Sequence, residues 1–346
     1  MRVLCLTDFP VVNGRWLWDW LPDCHDEVEF VSVPRSRIMA QCARSLAYAQ
    51  LSTGLAIEAH RRVRHGQYDV VVAWEIKNGY SFAILRAVLR RTDPKFIILA
   101  FGLRGLPARW RLLTRYVIRW VDAITVPSLA EAELYAKMLS IPLRRVFVCP
   151  NGQYDLWPLR ELSIGSGAYE KRQPVVFSGG YSYRDFDVLI EAARGLKARI
   201  EIVAPVPRYR VTTMPANVEW FSPLPSQEYL RRLASADIVV IPLKPVLFAT
   251  GLVDLLSAMS AGRPVVVTHT GPTAEYVENH RNGILVNPGD SQQLHNALWW
   301  LTEHADEMVR IGQNARDLYL SKYTFPLFAR RVRDVLRQVA ERGEDN

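Results

Sequence analysis

The sequence of 346 residues has few cysteines, and they form no pattern that would build a site. Cys5, Cys24, Cys42 and Cys149 lie far apart, without the short spacings of zinc sites or redox pairs. We therefore expect reduced, buried thiols as in cytoplasmic proteins, with no disulfide scaffold and no bound metal.

Long apolar runs are also missing. Lys244 and Asp254 interrupt the best candidate for a membrane-spanning helix. The N-terminal residues lack the apolar core and cleavage site of a signal peptide. No Gly-x-Gly-x-x-Gly pattern follows the first predicted strand, which argues against a dinucleotide-dependent dehydrogenase. These absences predict a cytoplasmic protein.

Positive charge, by contrast, is concentrated in one segment. The chain carries a net charge of +8, and residues 86–119 hold nine basic residues and one acidic residue. Within this segment, Arg111, Arg115 and Arg119 have the spacing of one helix face, flanked by tryptophans. A basic face with aromatic anchors suits an anionic membrane surface at the inner side of the cell membrane. The alternative to a membrane contact is that these arginines lie on an ordinary solvent-exposed helix face. Nucleic acid is not expected, because no binding motif accompanies the charge.

The chain alternates short β-branched segments with longer segments of helical period, which predicts parallel sheets covered by helices. The predicted strands are 3–6, 28–33, 70–73, 96–100, 123–126 and 146–149, then 175–177, 200–203, 218–221, 238–241, 265–267 and 284–286. Helices are predicted over 38–64, 81–89 and 327–341. A polar stretch divides the two sets of strands. We predict an N-terminal domain over 1–158, a linker over 159–174, a second domain over 175–325, and a C-terminal helix, 326–346, that packs back on the first domain.

Residues 249–289 are the most informative stretch. Gly251 opens a predicted helix, and a helix that starts after a glycine presents free backbone N–H groups to a phosphate. Ala258-Met259, Gly262-Arg263-Pro264 and the segment from Gly271 to Asp290 complete the pattern. This pattern resembles the donor-sugar signature of retaining GT-B glycosyltransferases of family 4, the glycosyl transferases group 1. The resemblance implies an α/β protein with two doubly wound Rossmann-like domains facing across a cleft.

The resemblance also implies a donor diphosphate site. A strand ending in Gly179-Gly180 and followed by Arg184 resembles the segment with which the family holds the diphosphate, although Gly180 replaces an arginine and Arg184 stands at the lysine position. One guanidinium offers a bidentate fork to phosphate oxygens. The predicted diphosphate-binding residues are Gly179, Gly180, Arg184, Lys244, Thr250, Gly251 and Leu252, of which Arg184, Thr250 and Gly251 would stabilise the leaving group.

The signature departs from the family at both of its glutamates. Their positions are Ala249, expected against the donor sugar, and Ser257, expected against the ribose. Ser257 keeps a hydroxyl for the ribose, and Asp254, one turn earlier, could supply the lost charge. A family histidine is replaced by Phe101.

The remaining expected contacts come from loops. Ser222 and Leu224 are candidates for the nucleobase, and Asn13 and Gly14 for the donor sugar. On the acceptor side, Glu75, Lys77 and Asn78 lie in a predicted loop beside the cleft.

The sequence thus predicts a metal-independent, cofactor-free retaining glycosyltransferase. It would move a sugar from a nucleotide sugar to a saccharide or lipid-linked acceptor of the cell envelope. The losses at Ala249, Ser257, Gly180 and Phe101 leave a second hypothesis open, in which the chain is a non-catalytic GT-B subunit that scaffolds or regulates an active partner.

Overall fold

The computed structural model describes residues 1–9, 11, 16–32, 44–103, 108–163, 173–205 and 214–342, with backbone only for 44–51, 108–111 and 162–163. The chain divides into two compact units. The first unit is Met1–Pro150 together with Phe328–Asn346, and the second unit is Asn151–Leu327.

The first unit is built on a parallel sheet of six strands in the order β2-β1-β3-β4-β5-β6. The strands are β1 Arg2–Thr7, β2 Glu27–Ser32, β3 Val70–Trp74, β4 Lys95–Leu99, β5 Ala123–Val126 and β6 Val146–Val148. Its helices are α1 Arg44–His65, α2 Ile76–Leu89, α3 Ala108–Val117 and α4 Leu129–Leu139. The strand order reverses between β1 and β3, so the loops after these two strands diverge there.

The second unit repeats the design with the order β12-β11-β10-β7-β8-β9, again parallel. Its strands are β7 Val175–Gly179, β8 Arg199–Val203, β9 Val218–Phe221, β10 Ile238–Ile241, β11 Val265–Thr268 and β12 Ile284–Val286. Its helices are α5 Trp157–Ser163, α6 Phe186–Ala192, α7 Ser226–Ser235, α8 Leu252–Ser260, α9 Gly271–Ala274, α10 Ser291–Glu303 and α11 Ala305–Lys322; the final helix, α12 Phe325–Ala340, continues into the first unit. Here the order reverses between β7 and β10.

The central strands are apolar along their whole length because helices cover both faces of each sheet. Val70–Ala73 and Ile238–Ile241 are buried at every position. Alternating apolar and polar residues would mark a sheet with one wet face, whereas such continuous runs are typical of doubly wound sheets. The α/β fold is therefore confirmed, and all twelve predicted strands are present within a residue or two of their predicted bounds.

Helix boundaries were predicted less well. Helix α2 begins at Ile76, five residues before the predicted start, and thereby converts the predicted loop 75–79 into a helical turn. Helix α5 covers 157–163, the beginning of the predicted linker. The predicted helix start at residue 38 lies outside the described residues. No helix in the described part of the chain is long and apolar enough to cross a membrane.

A buried carboxylate joins both ends of the chain within the first unit. Asp26 accepts hydrogen bonds from Arg333 of α12 at 2.9 Å, from Trp18 at 3.3 Å and from Cys24 at 3.0 Å. It also pairs with the N-terminal ammonium of Met1 at 3.3 Å. The carboxylate is 3% exposed, so these partners replace its hydration shell.

Burial alone would favour the neutral form of Asp26. The hydrogen bonds from Arg333, Cys24 and Trp18 nevertheless hold the pKa of this carboxyl well below its usual range. An unfolded aspartate titrates near pH ~4. The stabilisation is therefore fully present above that pH and is lost progressively as the pH falls below it.

We predict that Asp26→Asn lowers the free energy of unfolding by about 3 kcal/mol at pH 7, because Arg333 and the N-terminal ammonium lose a buried partner. Urea denaturation followed by tryptophan fluorescence measures this loss. The exposed Asp23→Asn serves as the control. Between pH 5 and pH 3 the wild type should lose stability more steeply than Asp26→Asn; parallel pH curves would contradict the role assigned to this carboxylate.

Candidate active site

Polar side chains collect at the two points where the strand order reverses. In open α/β sheets, ligands bind beyond the carboxyl ends of the strands at such points. In the second unit the relevant loops follow β7 and β10, and in the first unit they follow β1 and β3.

The loop after β7 is shaped by two glycines that leave no room for a side chain. Gly180 has φ +98°, and a Cβ added there would lie 2.9 Å from a terminal nitrogen of Arg184. A Cβ added to Gly179 would lie 2.3 Å from the hydroxyl of Tyr229. Both glycines are therefore required by the close approach of a polar side chain.

Arg184 ties this loop to the loop and helix after β10. Its Nε donates to the carbonyl of Gly179 at 2.8 Å and a terminal nitrogen donates to the carbonyl of Ser182 at 3.2 Å. The other terminal nitrogen donates to the carboxylate of Asp254 on α8. The side chain is only 5% exposed. Since a guanidinium has five N–H donors, these three bonds leave donors for a further acceptor.

Backbone hydrogen bonds join the same two loops. The amide of Asp185 donates to the carbonyl of Pro242 at 2.9 Å, and the amide of Lys244 donates to the carbonyl of Tyr183 at 2.9 Å. The side chain of Lys244 is exposed. The hydroxyl of Thr250 donates to the carbonyl of Ser182 at 3.2 Å. Loops held in this way keep a fixed shape for a ligand.

Helix α8 begins beside the guanidinium of Arg184. Gly251 precedes the helix in a left-handed conformation, with φ 78°, and a Cβ added there would meet Arg184 at 3.3 Å. The first turn presents its N–H groups, including that of the buried Leu252, at the positive end of the helix dipole. Gly179, Gly180, Arg184, Thr250, Gly251 and Leu252, all predicted for the diphosphate, are thus brought together; we name this group the cradle.

Asp254 faces the cradle arginine, a contact that its predicted role at the ribose did not include. One carboxylate oxygen accepts from Arg184 and the other accepts from the hydroxyl of Tyr229 at 2.9 Å. Burial raises the pKa of Asp254, and the charge of Arg184 and the bond from Tyr229 oppose that rise. Burial and the charge of Asp254 together raise the pKa of the Tyr229 hydroxyl. Tyr229 had no sequence signal, because its place in α7 reads as one more apolar helix position.

The two positions where the family has glutamates are buried. The Ser257 side chain is fully buried, and its Oγ accepts a hydrogen bond from Nε2 of Gln153 at 2.6 Å. Ala249 is 9% exposed. A serine at the ribose position therefore turns its hydroxyl toward Gln153 in this structure, and its predicted ribose contact stays a prediction.

The other candidates of the second unit lie farther along the sheet. Ser222 is exposed and Leu224 half-buried after β9, which β8 separates from β7. Their base contacts stay predictions. Asn13 and Gly14, the predicted donor-sugar contacts, lie outside the described residues. Phe101 is buried against Tyr135 with ring centroids 5.2 Å apart, so this position carries core packing.

The reversal point of the first unit holds the predicted acceptor-side residues. Nζ of Lys77 lies 3.2 Å from Asp8 and 2.7 Å from Glu75. Nδ2 of Asn78 donates to Asp8 at 3.2 Å and to the carbonyl of Trp74 at 2.6 Å. Glu75 has φ 63°, a strained conformation for a residue with a side chain, and such strain is common at functional sites. Asp8, which the sequence reasoning missed, follows β1 directly and joins the cluster only through the sheet topology.

Two arginines of the basic segment 86–119 are held by hydrogen bonds within the first unit, and the predicted face of Arg111, Arg115 and Arg119 stays a prediction. Arg86 is buried and donates to the carbonyls of Thr92 and Trp120 and to Asp122. Arg115 donates to the carbonyl of Met138 at 2.8 Å. Helix α3 ends at Val117, so Arg119 lies in a separate 3-10 turn. Arg104 lies outside the described residues, and the side chains of Arg109 and Arg111 are not described.

Two further observations concern possible metal and ligand sites outside the cradle. In the described part of the chain, no group of three or more His, Cys, Asp and Glu side chains could hold a metal ion. A cavity of about 540 Å³ lies at the outer edge of the second sheet, between β12 and α10, and its lining includes His280, Trp299 and Trp300. It shares no residue with the cradle.

The two parallel sheets and the cradle at the second reversal point define the GT-B fold, the fold of a large class of glycosyltransferases. Residues 172–304 match the family described as Glycosyl transferases group 1.

The sequence matches cover limited parts of the relatives. D-inositol 3-phosphate glycosyltransferase of Corynebacterium kroppenstedtii is 29% identical over 126 residues, which are 36% of this chain and 27% of that protein. D-rhamnosyltransferase WbpZ of Pseudomonas aeruginosa is 24% identical over 149 residues, 41% of this chain and 39% of that protein. The match thus spans about a quarter to two fifths of these curated relatives.

The structural matches extend over nearly the whole chain. A glycosyltransferase from Rickettsia africae superposes with a TM-score of 0.73 at 13% identity, covering 99% of each chain. The Anabaena protein Alr3699/HepE in complex with UDP-glucose gives a TM-score of 0.64 at 17% identity, covering 98% of this chain and 100% of that chain. At these identities the likeness shows the fold.

We predict that Gly180→Ala destabilises the second unit more than Gly195→Ala does. Both glycines have positive φ, but a Cβ at Gly195 meets nothing within 4 Å, whereas one at Gly180 meets Arg184. Gly195→Ala should cost about 1 kcal/mol of backbone strain, and Gly180→Ala at least about 1 kcal/mol more. Urea denaturation measures both, and equal losses would mean that Arg184 moves aside freely.

Proposed function

We propose that the chain is a nucleotide-sugar-dependent glycosyltransferase whose donor diphosphate binds in the cradle. The observation that carries the proposal is the buried guanidinium of Arg184 held between Gly180 and the start of α8. A guanidinium, a helix start and two glycines that let backbone approach a ligand each favour the binding of a phosphate. Related folds support the choice of ligand, since Alr3699/HepE has been solved with UDP and with UDP-glucose.

The cradle would stabilise the nucleoside diphosphate as it leaves the sugar. In this proposal, the bond between the anomeric carbon and the diphosphate oxygen breaks while the acceptor hydroxyl attacks from the same face. The hydroxyl proton passes to the departing phosphate, and the sugar keeps its configuration. Arg184 and the N–H groups of α8 are in place before charge develops, which is the most effective form of electrostatic stabilisation. No protein nucleophile and no metal are required.

For the acceptor we propose a saccharide that engages the first unit. Glu75 and Lys77 offer a carboxylate and an ammonium at the carboxyl ends of β1 and β3, where they can bind sugar hydroxyls. One relative, D-inositol 3-phosphate glycosyltransferase, is named for a polyhydroxylated compound, which supports an acceptor of this kind.

A lipid-linked acceptor is supported by an exposed apolar surface in the first unit. Leu112, Leu113 and Tyr116 of α3 are 74%, 38% and 52% exposed, and Arg119 follows them on the surface. Exposed leucine and tyrosine side chains beside a cation suit the boundary between lipid headgroups and acyl chains. We therefore propose that α3 contacts an anionic membrane.

The donor site is tested by isothermal titration of the purified protein with UDP, GDP, ADP and TDP. We expect one of them to bind with micromolar affinity and Arg184→Ala to weaken that binding by about 100-fold, the usual cost of losing a charge-assisted pair with phosphate. The control is Arg194→Ala, an arginine paired with Glu191 on the surface of the same unit.

The titration, combined with an assay of sugar transfer, separates the proposal from the non-catalytic alternative. Binding followed by detectable sugar transfer to a lipid-linked saccharide supports the enzyme. Binding without turnover toward any acceptor would instead favour a scaffolding subunit that keeps the nucleotide site. No binding to any of the four nucleotides would remove the proposed donor site.

The membrane contact is tested with vesicles of phosphatidylcholine and phosphatidylglycerol in equal amounts. We expect the wild type to sediment with them at low salt. The double variant Leu112→Glu, Tyr116→Glu should lose most of this binding, because it lacks the two apolar side chains that would enter the membrane and adds negative charge. Leu320→Glu, at an exposed leucine of the second unit, is the control. Equal sedimentation of all three proteins would exclude α3 as the contact.

A further inference from the structure

A carboxylate next to the cradle competes for the arginine that would bind the donor. Arg184 and Asp254 form a charge pair in which the arginine side chain is 5% exposed and the carboxylate 14% exposed. Opposite charges so close together cancel most of the field that an incoming anion would feel. A site designed only for tight phosphate binding would have no carboxylate at this place.

Asp254 is fixed in this position from a second side. Its other oxygen accepts from Tyr229, whose ring packs against Phe177 with centroids 5.2 Å apart and whose hydroxyl lies against Gly179. The carboxylate therefore cannot swing away when a ligand arrives. Arg184, for its part, is also held by the carbonyls of Gly179 and Ser182, so its position does not depend on Asp254 alone.

We infer that Asp254 is a counter-charge that weakens the binding of the nucleoside diphosphate and so speeds its release after transfer. The inference rests on the proposed donor site in the cradle. The sugar nucleotide carries two negative charges on its diphosphate, and the released nucleoside diphosphate gains a third as its terminal phosphate ionises near pH ~6. A fixed carboxylate beside the arginine therefore repels the product more than the substrate.

The test compares wild type, Asp254→Asn and Asp155→Asn by titration with UDP and with inorganic pyrophosphate. Asparagine keeps the shape of Asp254 but removes its charge, so the dissociation constants for UDP and pyrophosphate should fall about tenfold or more. Asp155 pairs with the buried Arg316 of the same unit, at 2.7 Å for one of the two bonds. Asp155→Asn therefore controls for the loss of an ion pair with a buried arginine elsewhere, and its affinities should equal those of the wild type.

Thermal unfolding gives a second readout that a purely structural role would not produce. Without ligand, Asp254→Asn should melt below the wild type, because Arg184 is left without its partner. With saturating UDP, its melting temperature should rise more than that of the wild type, since the ligand supplies the missing negative charge. Asp155→Asn should also melt early but gain no more from UDP than the wild type does.

The outcomes separate the inference from the donor site itself. If the wild type binds UDP and a folded Asp254→Asn binds it equally or more weakly, then Asp254 only positions Arg184. The proposed role of Asp254 as a counter-charge is then overturned. If the wild type and Asp254→Asn both fail to bind UDP, GDP, ADP, TDP and pyrophosphate, the proposed donor site is overturned and the inference with it. Tighter binding by Asp254→Asn alone supports both.

Discussion

The buried guanidinium of Arg184 is the interaction around which the second unit arranges its reversal point. Backbone hydrogen bonds from Asp185 and Lys244 already join the loops after β7 and β10. Arg184 adds a side-chain connection, because it donates to two carbonyls of its own loop and to Asp254 on α8. Burying a charge is costly unless it is paired and hydrogen-bonded, and these bonds hold the two loops in place.

The guanidinium of Arg184 also explains why two positions next to it are glycines. Gly180 and Gly251 both have positive φ, and at both a Cβ would press against Arg184. The glycines are thus the complement of the arginine: they give it space and they leave the backbone accessible. In this chain the arginine of the family motif is a glycine at position 180, and Arg184 fills the space that this glycine opens.

The carboxylate of Asp254 lies where the proposed phosphate site meets α8. The resemblance assigns two family glutamates to Ala249 and Ser257, which are both buried here, and Oγ of Ser257 accepts a hydrogen bond from Gln153. The one carboxylate on the first turn of α8 is Asp254, and it faces inward to Arg184 and Tyr229. In the proposed enzyme, Arg184 would bind the diphosphate while Asp254 beside it balances part of its charge.

The sequence by itself determined the strands, because each is a short β-branched run buried on both faces, and a run of that kind has few alternatives in water. It also determined the cradle glycines and Arg184, whose spacing follows a strand end. The partners of buried charges were decided only by the tertiary structure: Asp8 meets Lys77, Asp26 meets Arg333, and Asp254 meets Tyr229 across long distances in sequence. The basic segment shows the same limit, since Arg86 looks like surface charge in the sequence and is buried in the fold. Local pattern specifies which face of an element is apolar, whereas the direction of a single polar side chain depends on which donors and acceptors the packing of other elements brings to it.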